Sequence, residues 1–421
     1  MGHQFDSIRK KGLDFLKSAF GERAVERAVD YTMRFRVEIP AWQFWEGFGG
    51  GGRFESDRTG GAARNTEEIA ADAGLIHRLT RSAPAVGQHI LWFFSRDGIN
   101  GDIELARQVA QELKANEVSM GSVSPTFFPA GSEDGSFSSQ DPAARQRFID
   151  QTVLGAQIAV ELGSGLLTLW FPDGTNYPGQ RSLQDKIGLI KDCFHAFWEQ
   201  VPRDNKKRLD KVLVEYKVFE PGTYSTTIPD WGTAHELSRA FGEKGGVLVD
   251  LGHHHHGTNV EQIVAFLIAA GVRGGFHFNT RYAADDDHSV QADYELARIF
   301  YELLYGDVIF NRDPAKNWSY AIDQMATAEQ RIPSILKSID ALKRSIAKAV
   351  LLNTEELRAR QRARDIIGSN TEFERALLHA DTGPVVMESF FRQGLHPVPL
   401  VAYRESGYQG KIEQQRARPL V

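Results

Sequence analysis

The chain has 421 residues, of which 42% are hydrophobic and 25% are charged, which suits one large α/β barrel with extensions or two domains. The formal net charge of −6 is spread along the sequence and argues against a basic nucleic-acid-binding face. No apolar stretch reaches the roughly 18 residues of a membrane span, and residues 1–20 lack the apolar core of a signal peptide. The single cysteine, Cys193, excludes an intramolecular disulfide. We therefore expect a soluble cytoplasmic protein without nucleic-acid or membrane partners.

The first part of the chain combines a helical segment with a glycine-rich one. Residues 1–34 alternate charged and apolar side chains at helical spacing and predict an N-terminal helical extension. Residues 46–61 contain too much glycine for the interior of a helix or strand. The sequence leaves open whether they form a plain surface loop or a loop that packs on another surface. The aromatic side chain of Phe54 favours the second alternative.

A rhythm of strands and helices follows. Eight strand-like runs are predicted, at residues 35–39, 88–94, 118–123, 166–171, 212–217, 246–251, 274–279 and 319–323. Helices are predicted between them at 102–113, 144–162, 182–200, 230–241, 258–270 and 292–305. Eight such units favour an α/β fold, a (β/α)₈ TIM barrel over residues 35–325, with a further helical extension over 326–421. The alternative is a doubly wound sheet, but no Gly-x-Gly-x-x-Gly turn follows the first strand, as dinucleotide binding would require.

Four ligand-type residues end four successive predicted strands: Glu215, Asp250, His277 and Asp323. In a parallel barrel the carboxyl ends of the strands converge on one mouth, where active sites lie. Carboxylates and an imidazole placed together cost stability unless a cation offsets their charge. Three carboxylates with one imidazole suit Mn²⁺, Mg²⁺ or Co²⁺. Any one of these residues alone is more often a helix cap or an ion-pair partner, so the prediction depends on all four.

A second set of ligands lies one step further along the chain. His253 follows Asp250 by three residues, and Asp285 and Asp287 lie two apart in an acidic triplet. With Glu215 as a bridge, these residues predict a second metal position close to the first. The triplet alone could instead be a solvated acidic loop.

Aromatic and polar side chains near other strand ends suit a sugar ligand. His89 and Trp92 lie in the second predicted strand, and Trp170 lies at the end of the fourth. Lys217 follows Glu215 by two residues and therefore shares its side of the strand. Packing in the core is an equally good explanation for the two tryptophans.

The order and spacing of these motifs resemble the L-rhamnose isomerase family, one of the xylose-isomerase-like barrels. The resemblance covers roughly residues 35–410 and rests on the segments Val-Glu-Tyr-Lys-Val-Phe-Glu-Pro-Gly, Asp-Trp-Gly-Thr, Val-Asp-Leu-Gly-His-His, Gly-Gly-Phe-His-Phe-Asn and Asp-Asp-Asp. It implies a (β/α)₈ barrel, two Mn²⁺-type ions per subunit, a homotetramer, and interconversion of L-rhamnose with L-rhamnulose or of related aldoses and ketoses.

The resemblance also implies roles for individual residues. The first ion would be held by Glu215, Asp250, His277 and Asp323, and the second by Glu215, His253, Asp285 and Asp287. His89 would contact the sugar near its ring-opening end. Together with the positions of the strand ends, we expect catalytic roles for Asp323, Lys217, His253 and Asp287, and substrate contacts from His89, Trp92, Trp170, Lys217 and Phe54. The loop of Phe54 resembles one that reaches over a neighbouring subunit's site. The chain departs from its relatives at Thr280, where they have an acid, and at Leu91-Trp92-Phe93, where they have Pro-Trp-Asp.

Two other functions remain open from the residues alone. A ketose 3-epimerase on a similar barrel would use one metal and two facing glutamates. Glu215 could be one of them, but strand eight offers Asp323 in place of the second. The other is a non-catalytic sugar- or metal-binding protein, which would tolerate loss of the second ligand set.

Overall fold

The fold is a barrel of eight parallel strands in chain order, each joined to the next through helices on the outside. The computed structural model describes residues 2–45, 60–220, 225–281, 287–325 and 329–417. The strands are β1 Ile39–Pro40, β2 Ala85–His89, β3 Ser119–Ser124, β4 Leu166–Trp170, β5 Lys211–Glu215, β6 Gly245–Asp250, β7 Arg273–Phe278 and β8 Ser319–Ile322. This order confirms the predicted (β/α)₈ barrel. Phe54, Asp285 and Asp286 lie outside the described residues.

The helices before the barrel and around its strands include all six that were predicted between strands, with ends close to the predicted ones. They are α1 Gly2–Phe20, α2 Glu22–Arg34, α3 Thr66–Thr80, α4 Ile90–Phe93, α5 Ile103–Ala115, α6 Pro142–Glu161, α7 Leu183–Gln200, α8 Arg203–Arg208, α9 Trp231–Ser238, α10 Val260–Ala269 and α11 Tyr294–Tyr305. The helices after β8 are α12 Arg331–Leu351, α13 Thr354–Arg362, α14 Ile366–Leu377, α15 Gly383–Arg392, α16 Pro399–Glu405 and α17 Tyr408–Arg416. Short 3₁₀ turns lie at Ala41–Gln43 and Arg239–Lys244. No helix within the described ranges is long and apolar enough to cross a membrane.

The barrel closes between its first and last strands through Glu38. The N–H of Glu38 donates to the Tyr320 carbonyl at 2.9 Å, and the Ile322 N–H donates to the Glu38 carbonyl at 2.9 Å. Glu38 and Ala321 thereby form a parallel bridge. The carboxyl ends of all eight strands consequently surround one mouth.

The second strand is shorter than predicted. We expected residues 88–94 to be extended, but β2 ends at His89 and Ile90–Phe93 form α4. Pairing stops there because β3 also ends, with His89 opposite Ser124 as the last partners in register. The Leu91 N–H then donates to the Thr126 hydroxyl at 3.1 Å, and the Phe94 N–H donates to the Ile90 carbonyl at 2.8 Å. Trp92 therefore stands on a helical turn above the mouth and not in a strand.

Helices flank the barrel at both ends of the chain. The N-terminal helices α1 and α2 pack against α12 and α15, and Arg392 pairs with Glu26 at 2.7 Å across that contact. The last helix, α17, is fixed to α3 because the Arg416 guanidinium pairs with the buried Asp72 carboxylate at 2.8 Å. The Tyr408 hydroxyl donates to the same carboxylate at 2.8 Å.

Candidate metal centre and sugar cavity

The four predicted ligands of the first metal converge at the mouth of the barrel. Each of Glu215, Asp250, His277 and Asp323 offers one ligand atom, and these atoms all lie within 4.8 Å of one another. Glu215 and Asp250 are the last residues of β5 and β6, while His277 is the second-last residue of β7. The strand-end pattern in the sequence therefore predicted a real cluster.

The cluster attracts positive charge. The Nδ1 atom of His277 lies 3.4 Å from Glu215 Oε1 and 3.2 Å from Asp323 Oδ2. Desolvation by itself would lower the pKa of His277, but the Glu215 and Asp323 carboxylates outweigh it and raise the pKa well above its usual range. Neither Glu215 Oε1 nor His277 Nδ1 has a hydrogen-bond partner among the described residues. Buried oxygen and nitrogen atoms that converge without hydrogen bonds fit a divalent cation.

Neighbouring groups hold the ligands in orientation. The Asn279 amide donates to both oxygens of Asp250, at 3.0 and 3.1 Å, and the Gly252 N–H donates to Oδ1 at 2.8 Å. The Trp42 indole N–H donates to Asp323 Oδ1 at 3.1 Å. Partners of this kind fix ligand geometry and tune metal affinity. Sequence reasoning missed Trp42, although it follows β1 just as the predicted ligands follow their strands.

The second predicted ligand set is described in part. His253 is buried, and its Nδ1–H donates to the Tyr216 carbonyl at 2.9 Å, so that Nε2 is the ring nitrogen that carries the lone pair. Nε2 lies 3.8 Å from Asp250 Oδ1. Nδ1 of His253 also lies 3.4 Å from Glu215 Oε1, so the two sets adjoin. Asp287 lines the same cavity, and its carbonyl accepts from the Met325 N–H at 2.9 Å just after β8. Asp285 lies outside the described residues and stays a prediction.

The neighbouring His254 supports the site through two hydrogen bonds. Its Nε2 accepts from the Tyr216 hydroxyl at 2.7 Å, and its Nδ1–H donates to the Leu251 carbonyl at 3.2 Å. Burial lowers the pKa of His254 to about 4, so the ring is neutral at physiological pH. Tyr216 thus contacts two consecutive histidines, and it joins the end of β5 to the loop after β6.

An aromatic wall faces the ligands across a cavity of about 310 Å³. Five rings form this wall in a chain of edge and tilted contacts: Trp42, His89, Trp92, Phe128 and Trp170. The His89 and Trp92 ring centroids are 4.5 Å apart, and those of Phe128 and Trp170 are 5.3 Å apart. The predicted substrate-binding residues His89, Trp92 and Trp170 therefore lie together, and Phe128 is an addition that the sequence did not suggest.

Polar groups complete the cavity. Burial lowers the pKa of His89 to about 4, so its neutral ring can both donate and accept hydrogen bonds. Lys217 pairs with Glu220 at 2.8 Å, and its Nζ lies 5.9 Å from the centre of the Trp170 ring. The Ser124 and Thr168 hydroxyls also line the cavity and lie 2.6 Å apart. Aromatic faces beside hydrogen-bonding groups suit the C–H and O–H surfaces of a sugar.

Thr280 does not line this cavity. It lines a second cavity together with Asn279 and Arg281, just after β7. The departure from the relatives at this position therefore lies outside the lining of the cavity with the aromatic wall.

Comparison with known proteins agrees with the fold and shows a family. The family model of L-rhamnose isomerase (RhaA) matches residues 38–374. A probable sugar isomerase of Rhizobium meliloti (strain 1021) is 30% identical over 98% of this chain and 94% of its own length. The L-rhamnose isomerase of Mannheimia succiniciproducens is 22% identical over 85% of this chain and 88% of its own. The crystal structure of the IOLI protein with a bound zinc atom has the same fold, with a TM-score of 0.50, 10% identity, and coverage of 74% of this chain and 99% of that one.

These similarities, on a barrel whose mouth carries carboxylate and imidazole ligands, define the class of the protein as a sugar isomerase. Within that class, the chain belongs to the L-rhamnose isomerase family, whose model matches most of its length.

Proposed function

We propose that the protein is a metal-dependent aldose–ketose isomerase that interconverts L-rhamnose and L-rhamnulose or related sugars by a hydride shift between C1 and C2. The observation that carries this proposal is the ligand cluster at the ends of β5 to β8, which opens into a cavity with an aromatic wall. The same proposal includes residues 35–325 as the catalytic barrel, two Mn²⁺-type ions per subunit, a homotetramer and a cytoplasmic location, all of which follow from the family resemblance.

The residues of the cavity supply binding, orientation and charge. Glu215, Asp250, His277 and Asp323 would hold the first ion, and His253 with Asp287 would contribute to the second. A divalent ion bound there supplies Lewis-acid polarisation of carbonyl and hydroxyl oxygens.

The protein's own groups act on the rest of the sugar. The neutral His89 ring donates and accepts hydrogen bonds with sugar hydroxyls, while the Trp92 and Trp170 faces cover C–H groups and exclude water. The Lys217 ammonium, held by Glu220, stabilises negative charge as it develops on a sugar oxygen.

The test is an assay of ketose formation from a panel of aldoses that includes L-rhamnose. The purified protein is stripped with a chelator and reloaded with Mn²⁺, and its metal content is measured by mass spectrometry. We expect turnover to disappear on stripping and to return with Mn²⁺. Asp287→Asn and Glu215→Gln should lose turnover, while Asp204→Asn, at an exposed ion pair, should retain it.

Isotope uptake separates the isomerase from the epimerase. In D₂O the hydride shift leaves the product without solvent deuterium at C1 and C2, whereas a 3-epimerase introduces deuterium at C3. No specific observation favours the epimerase, since β8 is followed by Asp323 and not by a second facing glutamate. Deuterium at C3, or full turnover in Glu215→Gln, would contradict the proposal. Light scattering of the reloaded protein checks the homotetramer.

A further inference from the structure

Glu38 is a carboxylate inside the barrel that belongs to neither predicted ligand set. Its Oε2 accepts from the Ser122 N–H at 2.8 Å, and its Oε1 accepts from the Ser122 hydroxyl. Burial raises the pKa of Glu38 by desolvation, and the two hydrogen bonds from Ser122 partly oppose this rise. The protein therefore holds an acidic group in a place where an apolar residue would be the ordinary choice.

Two neighbouring strands leave room for this carboxylate. Gly87 of β2 and Gly121 of β3 both face Glu38, and a Cβ atom at either position would overlap one of its carboxylate oxygens. Glycine weakens a strand interior and often marks a site where another group approaches closely. The glycine pair indicates that the space beside β1 is kept for the carboxylate.

Glu38 lies in the same row of the barrel as two of the metal ligands. In register across the last strands, Asp250 pairs with His277, His277 pairs with Ala321, and Ala321 pairs with Glu38. Residues paired across neighbouring strands face the same side of a sheet, and only the small side chain of Ala321 separates Glu38 from His277 in this row. The charges of His277 and Asp323 both act on Glu38, the first lowering its pKa and the second raising it.

The groups that act on the Glu38 carboxylate are Ser122, His277 and Asp323, with no lysine or arginine among them in the described part of the chain. A carboxylate inside a protein is costly unless positive charge nearby offsets the loss of water. The positive charge nearest to Glu38 would be the ion held by the ligand cluster, whose member Asp323 follows the adjacent strand β8.

We propose that Glu38 is a positioning residue of the first metal site, whose carboxylate attracts the ion that the four ligands hold and so increases its affinity. This inference rests on the metal-dependent function proposed above. It concerns the strength of metal binding and not the chemistry on the sugar.

The first test is calorimetric titration of the metal-free full-length protein with Mn²⁺. Glu38→Gln keeps the shape of the side chain and an acceptor for the Ser122 N–H but removes the charge. We expect it to bind the first Mn²⁺ about 10- to 100-fold more weakly, the range typical of groups that support metal ligands, with the number of sites unchanged. Asp72→Asn is the matched control, because it neutralises a buried carboxylate that pairs with Arg416 far from the cluster. It should lower thermal stability and leave Mn²⁺ affinity as in the wild type.

The second readout is thermal unfolding with and without Mn²⁺, which a purely structural role would not change in the same way. Without metal, Glu38→Gln should be at least as stable as the wild type, because an uncompensated charge has been removed. With Mn²⁺, the wild type should be the more stable of the two. Equal affinities and equal Mn²⁺-induced increases in Tm would overturn this inference alone. Failure of the wild type to bind Mn²⁺ would overturn it together with the proposed function.

Discussion

Replacing Trp42 by phenylalanine tests how far the outer contacts of the cluster govern activity. The indole N–H donates to Asp323 Oδ1 at 3.1 Å, while Oδ2 of the same carboxylate lies 3.2 Å from His277 Nδ1. Phenylalanine keeps an aromatic ring beside His89, whose centroid is 5.0 Å from that of Trp42. The change therefore removes one hydrogen bond and little of the packing.

The expected loss follows from the charge on the acceptor. A hydrogen bond to a charged group is worth about 1.5–3 kcal/mol, and every 1.4 kcal/mol corresponds to roughly a tenfold change in an equilibrium or rate. Without the indole N–H the Asp323 carboxylate loses a contact that helps to orient it towards His277. We expect kcat/KM for ketose formation to fall about 10- to 100-fold, with a parallel loss of Mn²⁺ affinity.

The assay compares Trp42→Phe with a second tryptophan of the same segment. Trp45 packs on the rings of Trp92 and Phe93, at centroid distances of 5.8 and 5.4 Å, and Trp45→Phe also removes an indole N–H. Steady-state kinetics at saturating Mn²⁺ and calorimetric Mn²⁺ titrations are measured for both variants. If Trp42→Phe matched the wild type in kcat/KM and in Mn²⁺ affinity, the contact with Asp323 would have no part in orienting the ligand.

Three further predictions concern other parts of the chain. Lys217→Met should lower kcat by about 10²-fold, because one preorganised donor to developing charge is lost, and steady-state kinetics with reloaded enzyme measures this. Arg416→Leu leaves the buried Asp72 carboxylate without its charged partner and should cost about 3–5 kcal/mol in urea unfolding, whereas Lys411→Leu on the exposed face of α17 should cost little. Burial lowers the pKa of Lys343 to about 7, below its unfolded value, so the unfolded chain binds more protons above pH 7. The wild type should therefore gain stability over Lys343→Met as the pH rises from 7 towards 10, by up to about 1.4 kcal/mol per pH unit, and a constant difference across urea unfolding curves at pH 7, 8.5 and 9.5 would refute this assignment.

The residues of the cluster could be predicted because each one interrupts an apolar pattern at a strand end. Glu215 and Asp250 follow runs of valine and leucine, and the fold of parallel strands then fixes where they meet. No tertiary information beyond the eight-strand count was needed. Asp285 and Phe54 remain predictions, because they lie outside the described residues.

The aromatic wall was harder to predict, since its members come from turns above the strands. Ile90–Phe93 has no polar residue to distinguish helix from strand, and only the common end of β2 and β3 decides in favour of a helical turn. Trp42 and Phe128 lie beyond β1 and β3, where the path of the chain depends on hydrogen bonds between separate loops. Asp173 illustrates this dependence: its carboxylate accepts from the N–H and hydroxyl groups of both Ser136 and Ser138, so it ties two loops together and makes no contact with the cavity.

The two halves of the barrel carry different kinds of side chain at the mouth. The rings of the wall come from β1 to β4 and the turns that follow them, while the ligands come from the ends of β5 to β8. A sugar between the halves would turn its oxygens towards the charged side and its C–H groups towards the rings. With a sugar bound, the apolar half would also keep water from the carboxylates and the imidazole, and a lower local dielectric constant strengthens interactions between charges. Glu38 fits this division. It pairs with Ala321 of β8 and so extends the row of cluster residues to β1, where the aromatic half begins. Glu38 lies at the junction of β1 and β8. Removing its charge should therefore alter metal binding without altering the surface that the sugar contacts.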